Sequence, residues 1–248
     1  MHYAYQFDAG LLANYLKEYA IKAGINFIPA TVKKVTQDPQ GNISQLILDN
    51  GQSITGNYFV DCSGAKGLLS KETLNSEFIS WKEYLPCDRA IAVQTKNDNS
   101  PIPPYTKSIA MNSGWRWQIP LKHRTGNGYV YASDFSTQQA AEDEFIQALG
   151  TAEKITDLRT IHFSTGCLRN PWNKNCIALG LASGFLEPLE STSIHMTHKY
   201  AIELMNAFRY GKNMEDEATK FNNDFFEDST MIRDFLILHY NTTKREDT

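Results

Sequence analysis

The chain has 248 residues, of which 42% are hydrophobic and 21% are charged. This is the balance of an ordinary globular protein and excludes a disordered or fibrous class. The formal net charge of −4, without any basic stripe, argues against a nucleic-acid partner. The sequence shows no signal peptide and no apolar run of membrane-spanning length, so we expect a cytoplasmic protein without a membrane partner.

The first third of the chain predicts one helix and a β-meander. Asp8 fits the N-cap of a helix that runs to about Ala23 and is closed by Gly24. Apolar residues recur on one face of this helix and predict a buried stripe of Leu11, Leu12, Tyr15, Leu16 and Tyr19. Strands are predicted at 26–28, 31–36, 43–48 and 54–60, and the tight turn before the last is Asp49-Asn50-Gly51.

The middle of the chain predicts an antiparallel sheet, because strand-like runs alternate with turn residues between Arg89 and Ala132. The predicted strands of this sheet are 90–95, 105–111, 115–120 and 129–132. Amphipathic periodicity then indicates a helix at 137–149, and a strand follows at 160–164. Residues 214–240 predict a long helix with an apolar seam of Phe221, Phe225, Ile232, Phe235 and Leu236.

The most informative segment is 175–194, which predicts a buried strand, a glycine loop and a helix N-terminus in that order. The apolar run 176–179 indicates the strand, and Gly180, Gly184 and Pro188 specify the loop. This arrangement places backbone N–H groups and a positive dipole end against an anionic or polar ligand. The two glycines would let the ligand lie directly on the main chain, because neither has a Cβ.

The sequence contains four cysteines, Cys62, Cys87, Cys167 and Cys176. None of them forms the C-x-x-C pair that marks zinc and redox sites, so we predict buried thiols in a reducing compartment and no bound metal. His195 and His198 lie three residues apart, but no third ligand is spaced to join them. Surface or packing roles are therefore favoured for both histidines.

Two strings of residues carry a resemblance to a known family. The first, at 180–194, is G-L-A-S-G-F-L-E-P-L-E-S-T-S-I, and the second, at 114–120, is G-W-R-W-Q-I-P. Both resemble signatures of the flavin-dependent tryptophan halogenases, and weaker agreements extend the resemblance to nearly the whole chain. Members of that family are about twice as long. The resemblance therefore implies a central portion, without the N-terminal G-x-G-x-x-G unit and without most of the C-terminal module.

The resemblance implies a mixed α/β fold, in which an incomplete FAD-binding domain of the aromatic-hydroxylase type carries an antiparallel sheet subdomain and C-terminal helices. The implied domains are 1–84, a partial FAD-binding domain; 85–170, the sheet subdomain over the flavin; 171–212, a return to the FAD-binding domain; and 213–248, the start of the helical module. Without the missing βαβ unit, apolar surface would be exposed. We therefore expect the isolated chain to be poorly soluble or dimeric, and not to retain FAD.

The resemblance also implies an enzyme that halogenates tryptophan or a related indole. Reduced FAD, supplied by a separate flavin reductase, would react with oxygen, and chloride or bromide would be converted to hypohalous acid. The catalytic lysine of the family belongs to the missing part, so no lysine of this chain inherits its role. The expected partners are thus an indole substrate, a halide ion and a reductase, and a homodimer stays open.

The string that ends the glycine loop carries the implied catalytic residues. By resemblance, Glu190 faces the indole and assists its substitution, and Ser191 lies between the flavin and substrate compartments. The main chain at Thr192 and Ser193 would help to bind halide. Without the resemblance, Glu190 would be an acid stabilised by the helix dipole, and the three hydroxyl residues after it would be simple capping residues.

Further residues are implied to lie near the cofactor or the tunnel. Those placed near FAD are Asp61, Gly64, Gly180, Leu181, Ala182 and Gly184, although a strand-end turn explains the first two equally well. Trp115 and Trp117 are two apart on a predicted strand and therefore share a face. Core packing would account for them, but the resemblance implies that they keep the substrate away from the flavin.

Two rival interpretations stay open. The first is a flavin monooxygenase that hydroxylates its aromatic substrate directly, which the halide dependence of the product mass would distinguish. The second is a truncated remnant without activity, or a protein retained for interactions alone. The sequence does not specify the ring position, nor a preference between chloride and bromide.

Overall fold

The computed structural model describes residues 5–97 and 100–242. In chain order the helices and strands are α1 (Ala9–Lys22), β1 (Val32–Gln37), β2 (Ile43–Leu48), β3 (Ser53–Ile54), β4 (Phe59–Asp61), β5 (Phe78–Ser80), β6 (Arg89–Thr95), β7 (Lys107–Met111), β8 (Gly114–Pro120), β9 (Thr125–Tyr131), α2 (Gln138–Leu149), β10 (Arg159–His162), β11 (Gly166–Leu168), β12 (Trp172–Asn173), β13 (Cys176–Ala178), β14 (Gly184–Phe185), α3 (Thr192–Tyr210) and α4 (Met214–Asn241). Short helical turns lie at Gly64–Lys66, Leu68–Thr73, Gly180–Ala182 and Leu189–Ser191. None of the helices in the described ranges is long and apolar enough to cross a membrane.

The chain divides into two compact units, and each unit is built from two separate segments. The first unit comprises the described residues of Met1–Pro29 and Cys87–His162, and the second those of Ala30–Pro86 and Phe163–Thr248. The candidate site described below lies within the second unit. The division of the chain at residues 84, 170 and 212 stays a prediction.

The first unit is organised by a five-stranded antiparallel sheet with the strand order β10-β6-β9-β8-β7. The predicted antiparallel sheet is thereby confirmed, with β10 added at one edge. Its core joins Ile91, Tyr129 and Tyr131 of the sheet to Phe145 of α2, and all four are at most 1% exposed. Complete burial of such a side chain stabilises a fold by roughly 1.5–3 kcal/mol, so this cluster is what holds α2 on the sheet.

Helix α1 begins after Asp8, as predicted, and the same carboxylate also binds a distant loop. Its Oδ1 accepts hydrogen bonds from the N–H groups of Gly10 and Leu11 at 2.9 and 3.1 Å. Its Oδ2 lies 2.6 Å from Nη2 of Arg124. The hydrogen bond from Leu11 and the contact with Arg124 together lower the pKa of Asp8 to about 2. The carboxylate is therefore charged at neutral pH, when it both caps the helix and pairs with the loop.

Two expectations for this end of the chain are wrong. The apolar stripe of α1 is not buried, because Tyr15 and Tyr19 are each 64% exposed and no residue of the helix is buried. The segment 26–28 forms no strand, and the ring centroid of Phe27 lies 4.2 Å from the Lys17 ammonium instead. Periodicity identified the helix correctly, but it could not show whether the rest of the fold would cover the apolar face.

Trp115 and Trp117 share one face of β8, as predicted, with ring centroids 6.1 Å apart. Trp115 is buried and Trp117 is half-buried. Trp117 pairs with Gly128 of β9, and its ring occupies the space beside that glycine. A Cβ placed on Gly128 would lie only 2.0 Å from Cζ2 of Trp117. The Trp117 ring can therefore adopt this position only because residue 128 has no side chain.

The change Gly128→Ala is expected to displace the Trp117 ring and to destabilise the first unit by about 1–3 kcal/mol, as overpacking does. Gly126→Ala on the same strand is the matched control, because its Cβ would meet the end of the Arg124 side chain at 3.3 Å and the Ile119 carbonyl oxygen at an ordinary 3.8 Å. Urea unfolding followed by tryptophan fluorescence measures both effects. In a Trp117→Ala background Gly128→Ala should cost little, because the ring that it displaces is absent. Strictly additive losses of the two changes would contradict the steric explanation.

The second unit contains three small sheets in its described residues, with the strand orders β1-β2-β3, β14-β11-β5 and β12-β13-β4. The predicted strand 54–60 is wrong as a single element. Its beginning, β3, completes the hairpin with β2, whereas its end, β4, runs parallel to β13 in another sheet. One apolar run thus serves two sheets, which a periodicity pattern within that run cannot reveal. The parallel pair is what positions the candidate site.

Helices α3 and α4 pack on each other through aromatic rings. The ring of Tyr200 lies edge-on to the rings of Phe221 and Phe225, with centroids 5.1 and 5.0 Å apart. The Tyr200 hydroxyl also donates a hydrogen bond to Asp228 at 2.6 Å. Burial and this carboxylate raise the pKa of Tyr200 well above its ordinary value, so the hydroxyl keeps its proton and the bond between the helices persists.

Two further predictions for the second unit are only partly right. The apolar seam of α4 is confirmed at Phe221, Phe225 and Leu236, but it is wrong at Phe235, which is 48% exposed. Of the cysteines predicted to be buried thiols, Cys62 is exposed. The reason is local: Cys62 follows the last residue of β4, where the chain has already left the sheet.

Candidate functional site

The carboxyl ends of β4 and β13 lie side by side in the second unit. Asp61, the last residue of β4, pairs with Ala178, and its carbonyl accepts the N–H of Leu179 at 3.0 Å. Each strand leads into a helical turn that begins with a glycine, Gly64 or Gly180, and these two turns are in contact. In α/β proteins, the edge formed by the carboxyl ends of parallel strands is the usual place for a nucleotide ligand.

Asp61 is buried, with 1% exposure, and both oxygens of its carboxylate accept hydrogen bonds from nearby residues. Its Oδ1 accepts hydrogen bonds from the N–H and the hydroxyl of Ser63 at 3.0 and 2.6 Å. Its Oδ2 accepts the N–H of Leu69 at 3.0 Å and both the N–H and the hydroxyl of Ser70 at 2.8 Å. Burial by itself would raise the pKa of Asp61, but these donors outweigh it and hold the pKa below its ordinary value. The carboxylate therefore fixes the course of the chain from residue 63 to 70.

Gly64 and Gly180 leave open space at the ends of the parallel strands. Both have left-handed backbones, with φ of 77° and 63°, which glycine adopts at little cost. A Cβ on Gly64 would meet no heavy atom within 4 Å. On Gly180 it would meet only the Thr197 side chain, at 3.5 Å or more. These two turns thus offer exposed main chain that a bound group could approach closely, which fits the phosphates or the polar chain of a dinucleotide.

The other residues predicted to lie near the cofactor have different environments. Leu181 is 42% exposed, whereas Ala182 is fully buried. Gly184 lies on β14 against β11, where a Cβ would be 2.6 Å from the Cβ of Cys167. Close approach of two strands therefore requires this glycine, which gives it a packing function beside the predicted one in ligand approach.

The loop before α3 is bracketed by two strained residues. Glu187 and Ser191 have φ values of 68° and 55°, a left-handed conformation that persists in non-glycine residues only when the surroundings enforce it. Glu187 is 1% exposed, and its Oε2 accepts a hydrogen bond from the Tyr240 hydroxyl of α4 at 2.6 Å. This bond ties the loop to α4. The backbone of Glu190 lies in the turn between the strained residues, but its side chain lies outside the described part, so its predicted orientation stays a prediction.

The N-terminus of α3 differs from the other helix starts because no side chain among the described residues caps it. Ser191 occupies the cap position, but its left-handed backbone does not turn its hydroxyl back to the helix amides. The other α-helices of the described ranges are capped by the side chains of Asp8, Thr137 and Asn213. The first turn of α3, with Thr192 and Ser193, therefore presents the positive end of the helix dipole without an internal acceptor from a capping side chain.

A cavity of about 20 Å³ lies beside this helix start. A cavity of roughly 10–15 Å³ already accommodates one water molecule, so this one suits a guest of the size of a water molecule or a halide ion. The structure brings four predicted residues to its wall, Gly180, Gly184, Thr192 and Ser193. Eight further residues line it, and among them are Cys167 and Ser229.

The residues missed by the sequence come from distant segments. Cys167 lies on β11, and Ser229 lies just past the middle of α4. A serine inside a helix and a cysteine in a short apolar strand carry no signal of function by themselves. Tyr240, which holds Glu187, was missed for the same reason. Only the packing of α4 over the loop could have identified them.

The histidines and cysteines form no metal site in the part of the chain that the structure describes, where no cluster of three potential ligands exists. His195 and His198 are exposed on α3. Burial raises the pKa of Cys167 and of Cys176 to about 12, so both are neutral thiols at physiological pH.

These observations define a mixed α/β protein with a nucleotide-type strand edge, an antiparallel sheet and C-terminal helices. The chain belongs to the tryptophan halogenase family, because the model of that family matches residues 1–248. The expected family and fold class are thereby confirmed.

Similar proteins point to the same family. The chain is 37% identical to the tryptophan 6-halogenase SttH of Streptomyces toxytricini over 99% of its own length and 47% of that relative. It is 35% identical to the tryptophan 7-halogenase RebH of Lentzea aerocolonigenes over 100% of its length and 47% of that relative. The solved structure of BrvH, a flavin-dependent halogenase from Brevundimonas sp. BAL3, has 41% identity and a TM-score of 0.90, covering 98% of this chain and 49% of that one. The chain thus spans about half the length of the relatives it matches.

Proposed function

We propose that this chain supplies the halide-binding and substrate-facing part of an FAD-dependent enzyme that halogenates tryptophan or a related indole. The observation that carries the proposal is the small cavity at the uncapped start of α3, beside a glycine turn at the end of a parallel strand. The names of the relatives, tryptophan 6- and 7-halogenases, supply the substrate class. Other residues of the complete enzyme would come from outside this chain.

The residues that would hold FAD are the main chain at Gly64 and at Gly180–Ala182, because the two adjacent glycine turns leave room there. We propose that Asp61 acts indirectly, by fixing the first of these turns through its five hydrogen bonds. When bound, reduced FAD would activate oxygen, which is the oxidant that the two-electron oxidation of halide requires. A separate flavin reductase would deliver it in the reduced form.

The halide would lie at the start of α3, against the main chain of Thr192 and Ser193. A helix N-terminus suits an anion, because unpaired N–H groups and the dipole both favour negative charge. The strained backbone at Ser191 supports this proposal, since it removes the one side chain that would otherwise cap the amides.

Glu190 would act on the indole. Its carboxylate would assist loss of the ring proton or stabilise the cationic intermediate. The Glu187–Tyr240 hydrogen bond would hold the loop that carries it. For Trp115 and Trp117 we propose a gating function from the family motif, and the neighbouring positions of their rings on β8 support a joint contribution.

The test is a chimaera in which this chain replaces the matched segment of SttH. It is supplied with FAD, a flavin reductase, tryptophan, oxygen and bromide, and the products are analysed by mass spectrometry. We expect brominated tryptophan, which disappears when sulfate replaces bromide. A hydroxylated product formed without halide would support the monooxygenase alternative. If the chimaera folds and binds FAD but yields no product while SttH is active, the inactive remnant is the better description.

A further inference from the structure

The hydroxyl of Ser229 is the unexplained polar group of the cavity. Ser229 is fully buried, and its Oγ has no hydrogen-bond partner among the described residues. It lies near enough to the Cys167 sulfur to favour the thiolate form slightly, although the two groups do not meet the geometry of a hydrogen bond. Buried polar groups are almost always satisfied by protein, water or an ion. An unpaired hydroxyl on a cavity wall therefore points to a guest in the cavity.

Other hydroxyls of α4 show that this arrangement is particular to Ser229. Thr219 and Thr230 each donate a hydrogen bond to the carbonyl four residues earlier, at 2.8 Å. This is the ordinary arrangement for a hydroxyl in a helix interior. The Ser229 hydroxyl does not donate to its own helix, and it remains available to a group inside the cavity.

The chemistry of the cavity favours an anion over a cation. Acceptors at its edge are already used, because Ser183 donates to the carbonyl of Gly180 and Thr197 to that of Ser193, both at 2.7 Å. No Asp or Glu is among the described residues that line the cavity. The wall also presents the amide end of α3, the Ser229 hydroxyl and a neutral thiol, each of which can donate a hydrogen bond to an anion.

Two arginine side chains contribute a positive potential at the cavity wall. The guanidinium groups of Arg169 and Arg233 act electrostatically on the Cys167 thiol in the cavity wall and favour its negative form. The rest of the wall is apolar, with Phe185, Leu186 and Met196. A small anion in such a place keeps little of its hydration shell, so each protein donor matters more than it would in water.

We propose that Ser229 completes a site for one halide ion, as an O–H donor on α4 facing the first turn of α3. The inference rests on the proposed function, since it takes halide to be the anion used. Its new element is that α4, and not the glycine loop alone, determines how tightly halide is held. Loss of this donor would weaken binding without changing the fold.

The test uses the SttH chimaera that carries this chain, its Ser229→Ala variant and, as the matched control, Thr230→Ala on the same helix. Crystals soaked in sodium bromide are examined by anomalous scattering, and bromide affinity is measured in solution from the line width of the bromide NMR signal. We expect a bromine peak within hydrogen-bond distance of the Ser229 hydroxyl in the wild type. Ser229→Ala should weaken bromide binding about tenfold, the effect of one lost hydrogen bond to a charged group, while Thr230→Ala binds as the wild type does.

Stability without halide separates this proposal from a purely structural role. Because the hydroxyl has no protein partner, Ser229→Ala should unfold at the same temperature as the wild type, or higher, in sulfate buffer. A lower unfolding temperature there would overturn the proposal, as would an unchanged bromide affinity or a cavity without bromine. Those results would leave the proposed function standing, because the chimaera tests it through the mass of its product.

Discussion

Replacing Glu190 by glutamine in the active chimaera is expected to lower the rate of tryptophan bromination by about a hundredfold or more, which is the usual contribution of one general base. The change keeps the size of the side chain and removes only its charge and basicity. Formation of hypobromous acid should continue, because in the proposed mechanism that step would depend on the halide cavity and not on the carboxylate. A trapping reagent for hypobromous acid and the mass of the tryptophan product measure the two steps separately.

Glu215→Gln is the control for this experiment, because Glu215 is an exposed acid in the first turn of α4. If Glu190 were merely an acid near a helix start, the two variants would behave alike and bromination would change little. Equal losses of hypobromous acid and of product in Glu190→Gln would show instead that the change had damaged the halide site or the fold.

The segment 175–194 was predicted well because its signals are local. The apolar run of β13, the turn at Gly180 and the start of α3 each depend on residues close together in the sequence. The same is true of the Asp8 cap and of the antiparallel sheet with its W-x-W face. Sequence patterns are reliable at this range, since propensity and hydrogen bonding act between neighbours.

The features that sequence analysis missed depend on distant partners. The exposed stripe of α1 and the exposed ring of Phe235 both follow the correct helical period. They differ from the buried helix faces only in what packs against them. Ser229 lines the cavity because α4 packs against β11, and no sequence pattern near residue 229 indicates this contact. A period identifies a face, but only tertiary packing determines whether that face is buried or forms part of a site.

Asp61 illustrates the same limit within the candidate site. The resemblance to the family implies a residue near the cofactor, and a strand-end turn explains its position equally well. The structure shows a buried carboxylate that organises residues 63 to 70 through Ser63 and Ser70. The sequence located the right turn, but it could not show which way the carboxylate points.

Asp61→Asn is expected to destabilise the second unit by about 3–5 kcal/mol, although the change replaces one oxygen by nitrogen. The carboxylate accepts five hydrogen bonds, and the new amide would turn its own donor toward N–H or O–H groups that need an acceptor. Urea unfolding measures the decrease in the free energy of unfolding. Faster hydrogen exchange at the Leu69 and Ser70 amides would locate the decrease in this turn. Asp49→Asn is the control, because that exposed carboxylate accepts a single hydrogen bond, from the Thr31 amide at 3.2 Å.

Acid should reproduce the effect in the wild type. The pKa of Asp61 is lower in the folded chain than its ordinary value of 3.8, so the stabilisation is complete above that value and is lost as the pH falls through the folded pKa. Below about pH 4 the stability of the wild type should therefore approach that of Asp61→Asn, which lacks this titration. Parallel pH curves for the two proteins would mean that the carboxylate contributes nothing as an acceptor. The turn at Gly64, and with it the proposed cofactor edge, would then have to be held by other contacts.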